Sequence, residues 1–350
     1  MRSLWVRTLR IVVVGLLLAA SGRISALAQQ ELLRVAATVP ELGSLARAIG
    51  GDQVTVVVFA KGTEDAHFVE AKPSFIKDLS QVDVYIQTGL ELEVGWAPVL
   101  LQNARNSKVL PGAPGYVDAA EVITPLEVPT GPVDRSMGDV HPAGNPHYLA
   151  DPLNGLRVAQ LLRDRLSALR PAHRASFEER YSAFRKRVGA ALVGDTLAQK
   201  YDVEKLALLF EHGRLGAFLQ SQGEAHVLGG WLGAMLPYTG TKAVADHNLW
   251  PYFARRFGLT LRGFMEPKPG VPPTTRHLQA LVQTMQAEHI SLILTSVFYD
   301  PRHAQFLAQH TGAKIVTMAH QVGAREGTDD YLRMVDYNVR QLVATLGGSK

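Results

Sequence analysis

Short runs of apolar, largely β-branched residues alternate with helical stretches along the chain from Leu33 onward. Runs of this kind, bounded by turn residues, are typical of buried strands. The strand candidates are 34–38, 53–59, 82–87, 206–210, 242–245, 260–265, 291–295 and 314–318. The alternation of strands and helices predicts an α/β fold with mainly parallel sheets.

Helices are predicted between these strands at 41–49, 72–79, 94–103, 249–257, 274–287, 301–310 and 330–346. Two further helical stretches, 151–170 and 171–192, lie at the centre of the chain. A helix of about 22 residues is about 33 Å long, enough to bridge two lobes. The pattern alone equally allows one long surface helix of a single domain.

We expect two α/β lobes joined by the central helices. The predicted divisions are a signal peptide over 1–28, an N-terminal lobe over 29–152, a linking helical segment over 153–195 and a C-terminal lobe over 196–350. The Gly/Pro-rich stretch 110–146 is the longest predicted loop, and loops of this length often surround functional sites.

The basic residues are concentrated at the N-terminus. The whole chain has 36 basic and 32 acidic residues, and four of the arginines, but no acid, lie in the first 28 residues, so the remainder has 32 of each. The overall excess of positive charge therefore belongs to the leader and does not indicate nucleic-acid binding.

The leader has the organisation of a secretory signal peptide. A basic region to Arg10 precedes an apolar run over 11–20 and a small-residue cleavage site that ends at Ala28. Ten apolar residues are too few to span a bilayer, which needs about 20. The chain has no cysteine, which excludes disulfides, thiolate ligands and a lipidated cysteine. These features predict a soluble periplasmic protein after cleavage near Ala28.

Four of the twelve histidines stand where predicted strands end or helices begin. They are His67, His147, His247 and His320, and Asn248 is a predicted N-cap of the helix that follows His247. Neutral imidazoles brought together would suit Zn²⁺, whereas Mn²⁺ prefers oxygen ligands. Because the spacings are long, the pattern by itself allows either a two-lobed binding protein or a hydrolase.

Three segments resemble zinc and manganese ABC-transporter solute-binding proteins. The segment 61–74, KGTEDAHFVEAKPS, resembles that family's G-x-D-P-H-x-Y-E-P-x-P-S. The segment 144–152, GNPHYLADP, resembles its second histidine segment, and 247–259, HNLWPYFARRFGL, resembles its third. Glu266-Pro267 and 311–314 follow in the expected order.

The resemblance implies two α/β lobes held by a long rigid backbone helix, with the metal between them. One lobe would supply His67 and His147, and the other His247 and a fourth ligand. The family's usual carboxylates are missing, because Ser296 and Ala319-His320 stand at the corresponding positions. His320 is therefore the predicted fourth ligand, with Asp65 and water as alternatives.

The function that the resemblance implies is capture of Zn²⁺, with Mn²⁺ less favoured, and its delivery to the membrane subunits of an inner-membrane ABC importer. No reaction is catalysed, the protein is expected to be a monomer, and a periplasmic metallochaperone as a further partner is left open. The alternatives are a secreted zinc-dependent hydrolase that uses Asp139, His141 and His147, and a surface adhesin or structural protein that binds no metal.

Overall fold

The computed structural model describes residues 32–131, 140–268 and 270–348. Its strands are β1 (Leu33–Ala37), β2 (Val54–Val58), β3 (Val84–Gln87), β4 (Tyr116–Asp118), β5 (Lys242–Ala245), β6 (Thr260–Phe264), β7 (Leu292–Thr295) and β8 (Lys314–Thr317). They form two four-stranded parallel sheets with the orders β2-β1-β3-β4 and β6-β5-β7-β8. The predicted α/β class is confirmed.

Helices cover and connect the two sheets. They are α1 (Pro40–Gly50), α2 (Pro73–Leu79), α3 (Ala97–Ala104), α4 (Pro152–Leu169), α5 (Arg174–Val193), α6 (Asp195–Lys200), α7 (Val203–Glu211), α8 (Leu215–Ser221), α9 (Gly230–Met235), α10 (Pro251–Phe257), α11 (Thr275–Ala287), α12 (Pro301–Thr311) and α13 (Tyr331–Gly347). Several begin with proline, whose fixed φ and missing N–H suit the first helical position.

Helix α5 lies between the two halves of the structure. It packs against α1 beside the first sheet and against α6, α7 and α9, which precede the second sheet. Its buried face is formed by Phe177, Tyr181, Phe184 and Val188, which recur at helical spacing. Residues 34–350 form one compact unit, and the division into lobes at 152 and 195 stays a prediction.

The predicted strand at 206–210 is wrong, because these residues belong to α7. The run is rich in leucine and alanine, which favour helix, and contains no β-branched residue. Asp202 caps the helix by accepting a hydrogen bond from the backbone N–H of Lys205. Leu206 and Phe210 are buried on one face while Leu208 is exposed, as expected of an amphipathic helix.

Two further expectations need correction. The stretch 110–146 contains β4, a strand of three residues that pairs with β3 and completes the first sheet. Only Val117 in β4 is buried, so the strand has almost no hydrophobic signal. Asn248 is not a helix cap: α10 starts at Pro251, and the Asn248 side chain donates to Glu127 instead.

Arg256 in α10 joins the second half of the chain to the start of α4. Its guanidinium makes two hydrogen bonds of 2.9 Å to the carboxylate of Asp151, which also caps α4 through the backbone N–H of Leu153. Both charged groups are buried, and the guanidinium also pairs with Glu211 at 2.7 Å, so its charge is compensated by two carboxylates. This bidentate pair fixes the segment that directly follows His147.

Glu41, in the first turn of α1, gives folding stability a specific dependence on pH. Burial raises the pKa of its carboxyl to about 8, although backbone hydrogen bonds at Glu41 and Val322 act in the opposite direction. In the unfolded chain the pKa is about 4.3, so unfolding releases a proton between these two values. The stabilisation is complete below the unfolded pKa and is lost as the pH rises toward 8.

Between pH 5.5 and 7.5, Glu41 should lower the free energy of unfolding of the wild type by about 2 to 3 kcal/mol, at about 1.4 kcal/mol per pH unit. We expect this decrease to be absent from Glu41→Gln. Urea unfolding of both proteins with a metal chelator measures this difference. A wild-type minus variant difference that is constant with pH would contradict the assignment.

Candidate metal centre

The four predicted histidines all lie in segments that follow a strand or precede a helix. His67 lies in a short 3-10 helix (66–68) after β2, and His147 immediately precedes another (148–150) before α4. His247 follows β5, and His320 follows β8. Parallel sheets place their ligand sites outside the carboxyl ends of their strands, which accounts for these positions.

Three of these side chains come together. One ligand nitrogen from each of His67, His147 and His247 lies within 4.8 Å of the other two. His320 is outside this group, as is His141, and the His320 ring lies edge-on to that of His147, with the centroids 5.0 Å apart. The structure thus brings together three histidines from segments far apart in the sequence, and whether His320 is a ligand stays a prediction.

Asp65 holds His67. Its Oδ1 accepts hydrogen bonds from the His67 backbone N–H at 3.0 Å and from Nδ1 at 2.7 Å. Burial alone would raise the pKa of Asp65, but the hydrogen bonds from His67 outweigh it, and the net pKa lies below its usual value. With the ring proton on Nδ1, the lone pair is on Nε2. Asp65 is thus an orienting partner of His67, and its bond to the backbone N–H two residues later is that of an Asx-turn.

His247 is held in a similar way by Glu266, whose Oε2 lies 2.6 Å from Nδ1. The backbone N–H of Gly270 donates to the same oxygen. Asp246 accepts the backbone N–H groups of His247 and Ser296, and burial raises the pKa of its carboxyl to about 6. In the sequence, Glu266 stands out only as part of the family resemblance, and its pairing with His247 is not predicted. The one local indication is that a carboxylate follows β6, the strand that pairs with β5.

His147 is positioned by Asn145. The Asn145 Oδ1 accepts the backbone N–H of His147, while its Nδ2 donates to the carbonyl of Asn248 at 2.9 Å. The segments before His147 and after His247 are therefore bonded directly. Burial, with the neighbouring His320 and His67, holds the pKa of His147 well below its usual range. The ring is neutral at physiological pH and has a lone pair for a metal.

Two more histidines border the cluster. Burial lowers the pKa of His320 to about 3, and its ring packs edge-on against Trp250 and Phe298. His141 lies beside His67, with the two Nε2 atoms 3.2 Å apart. The leading functional hypothesis had no role for His141. Asp139, its proposed partner in the hydrolase alternative, lies outside the described residues.

The donor set is suited to a divalent cation that prefers nitrogen. The three central rings have side chains at most 7% exposed, and two of them bond a carboxylate through Nδ1. Carboxylate–histidine pairs of this kind fix the tautomer and raise the basicity of a ligating nitrogen. The fold and site together indicate a metal-binding protein whose candidate ligands follow strands of both sheets.

Comparison with known proteins identifies the family. The model of the zinc-uptake complex component A, periplasmic, matches residues 35–225 and 232–345. The chain is 22% identical over 340 residues, 95% of each chain, to the metal ABC transporter substrate-binding lipoprotein ScbA of Streptococcus cristatus. It is 24% identical over 336 residues, 94% of each chain, to the manganese ABC transporter substrate-binding lipoprotein scaA of Streptococcus gordonii.

The fold also matches a crystal structure of ZnuA with a TM-score of 0.64 and 21% identity, covering 90% of this chain and 99% of that one. The chain belongs to the family of periplasmic component A proteins of zinc-uptake complexes. It is a substrate-binding protein of a metal ABC transporter and not an enzyme, and the hydrolase alternative is not supported. None of the described helices has the length and apolar composition that a bilayer span requires.

Proposed function

We propose that this chain binds Zn²⁺ through His67, His147 and His247 and delivers it to the membrane subunits of an ABC importer. The convergence of three ring nitrogens within 4.8 Å carries the proposal. Zinc is usually four-coordinate and accepts imidazole nitrogen readily. The fourth position has two imidazole candidates, His320 from the sequence prediction and His141 from the structure.

The choice of Zn²⁺ over Mn²⁺ rests on the donor atoms. Mn²⁺ favours carboxylate and carbonyl oxygens, but Asp65 and Glu266 use an oxygen to accept Nδ1–H from His67 and His247. These two carboxylates also offset the charge of the ion without ligating it. The name of the relative from Streptococcus gordonii refers to manganese, so metal preference needs a direct measurement.

The proposed location is the periplasm, after removal of residues 1–28, which lie outside the described part of the chain. The two streptococcal relatives are named as lipoproteins, whereas this sequence has no cysteine to carry a lipid. We propose a monomer that docks on the importer. A periplasmic metallochaperone remains an open further partner.

The test is a titration of chelator-treated protein, lacking residues 1–28, with Zn²⁺ and Mn²⁺, separately and in competition. We expect about one Zn²⁺ per chain and displacement of bound Mn²⁺ by Zn²⁺. Because an ion that binds only the folded state stabilises it by mass action, about 2.7 kcal/mol of stabilisation is expected at 100 times the Kd. Tighter binding of Mn²⁺ than of Zn²⁺ would refute the metal assignment, and no binding of either would refute the proposal.

A further inference from the structure

We propose that His141 takes the fourth ligand position of the metal site. This inference rests on the proposed metal-binding function and adds a ligand from the segment that leads into His147. Its basis is the approach of His141 to His67: the two Nε2 atoms are 3.2 Å apart and the rings are stacked, with the centroids 5.3 Å apart. Two nitrogens bound to one tetrahedral Zn²⁺ at about 2.0 to 2.1 Å lie about 3.4 Å from each other, close to this separation.

The protons on the two rings favour a shared cation over a hydrogen bond. Asp65 accepts the Nδ1 proton of His67, so a lone pair on His67 Nε2 faces His141. The backbone carbonyl of Leu90 accepts a hydrogen bond from the His141 ring. A neutral imidazole has one N–H, so a ring that donates to Leu90 through Nδ1 also directs a lone pair at His67. Two facing lone pairs repel each other unless a cation lies beside both.

The position of His141 is built into the fold. The Gly144 backbone N–H donates to the carbonyl of His141, which closes a turn over 141–144. Gly144 has a φ of 106°, and a Cβ there would come within 2.7 Å of Pro125, so the turn needs glycine and packs closely. The next residue, Asn145, bonds Leu126 through its backbone and Asn248 through its side chain. The hydrogen bonds of Asn145 thus fix the chain between His141 and His147.

The contacts of His320 differ from those of His141. Its ring lies edge-on to the rings of His147, Trp250 and Phe298 at interplanar angles of 78°, 87° and 82°. These are favourable aromatic packing geometries. Neither His141 nor His320 belongs to the group of three nitrogens that lie within 4.8 Å of one another, but only His141 has a ring nitrogen within 3.2 Å of one of them, Nε2 of His67. We assign His320 to holding the His147 ring in place, while His141 supplies the nitrogen beside His67.

The experiment compares His141→Gln and His320→Gln with wild type. His226→Gln is the matched control, because His226 is an exposed histidine in a short 3-10 helix (225–227). Zn²⁺ affinity is measured by competition with a chromophoric chelator. Each protein is also loaded with Co²⁺, whose unpaired electrons shift the exchangeable N–H proton of each ligating imidazole far from the rest of the NMR spectrum.

We expect His141→Gln to weaken Zn²⁺ binding by about tenfold, comparable to the loss of a metal-site partner. It should also remove one shifted N–H resonance, whereas His226→Gln changes neither. An unchanged number of shifted resonances in His141→Gln overturns the proposal, as does removal of one by His320→Gln alone. Failure of the wild type to bind Zn²⁺ or Co²⁺ would instead refute the proposed function.

Discussion

Replacing His147 with alanine is expected to lower the Zn²⁺ affinity by at least about a hundredfold, because changes to residues that merely support a ligand already cost 10-fold to 100-fold. His147 is 5% exposed and its ring contacts those of His67, His247 and His320. Its ligand position is therefore enclosed by the cluster. Alanine also leaves a cavity beside the cluster and removes a neutral nitrogen that needs no deprotonation before it binds. Isothermal titration of chelator-treated protein measures the loss.

His67→Ala and His247→Ala should each weaken binding by at least about tenfold, because changes to residues that merely support a ligand already cost that much. His226→Ala is the control for each. The proteins must first show the wild-type circular dichroism spectrum and melting temperature with chelator present, since only then does a change in affinity report on the site. Wild-type affinity in all three alanine variants would rule out this cluster as the metal site.

Weakening the two carboxylate partners should cost affinity without removing a ligand. Asp65→Asn and Glu266→Gln keep the shape of each side chain, but a neutral oxygen accepts the Nδ1–H groups of His67 and His247 less strongly. The ligating nitrogens become less basic and the charge of the bound ion is less well compensated. We expect each change to lower Zn²⁺ affinity by about 10-fold to 100-fold.

Glu70→Gln provides the matched control, because Glu70 is an exposed carboxylate three residues from His67. It removes the same charge as Glu266→Gln without removing a hydrogen bond to a ligand. The comparison therefore separates a long-range charge effect from orientation of the ring. Equal losses in Glu70→Gln and the two partner variants would mean that general electrostatics, not the hydrogen bonds, supports binding.

The α/β class and seven of the eight described strands could be predicted from the sequence. Strand and helix patterns depend on residues close together in the chain, so β-branched runs such as 242–245 are readable locally. The errors occurred where the local signal was weak or ambiguous. Strand β4 buries one residue of three, and the apolar run 206–210 fits a strand or a helix face equally well until packing selects one.

For the site, the sequence determined which residues stand at the strand ends. His67, His147, His247 and His320 follow from that local reasoning together with the family resemblance. The sequence also provides the Asp65 turn, because a carboxylate two residues before an amide is a local hydrogen-bonding pattern.

Only the tertiary structure decided which of these side chains meet. Ring nitrogens from residues 80 and 100 positions apart come within 4.8 Å because two sheets, a central helix and the Asn145–Asn248 bond fix their separation. The pairing of Glu266 with His247, and the approach of His141 to His67, likewise join residues 19 and 74 positions apart. Such contacts leave no periodic trace in the sequence, since they depend on the path of the backbone between the two residues and not on either residue alone.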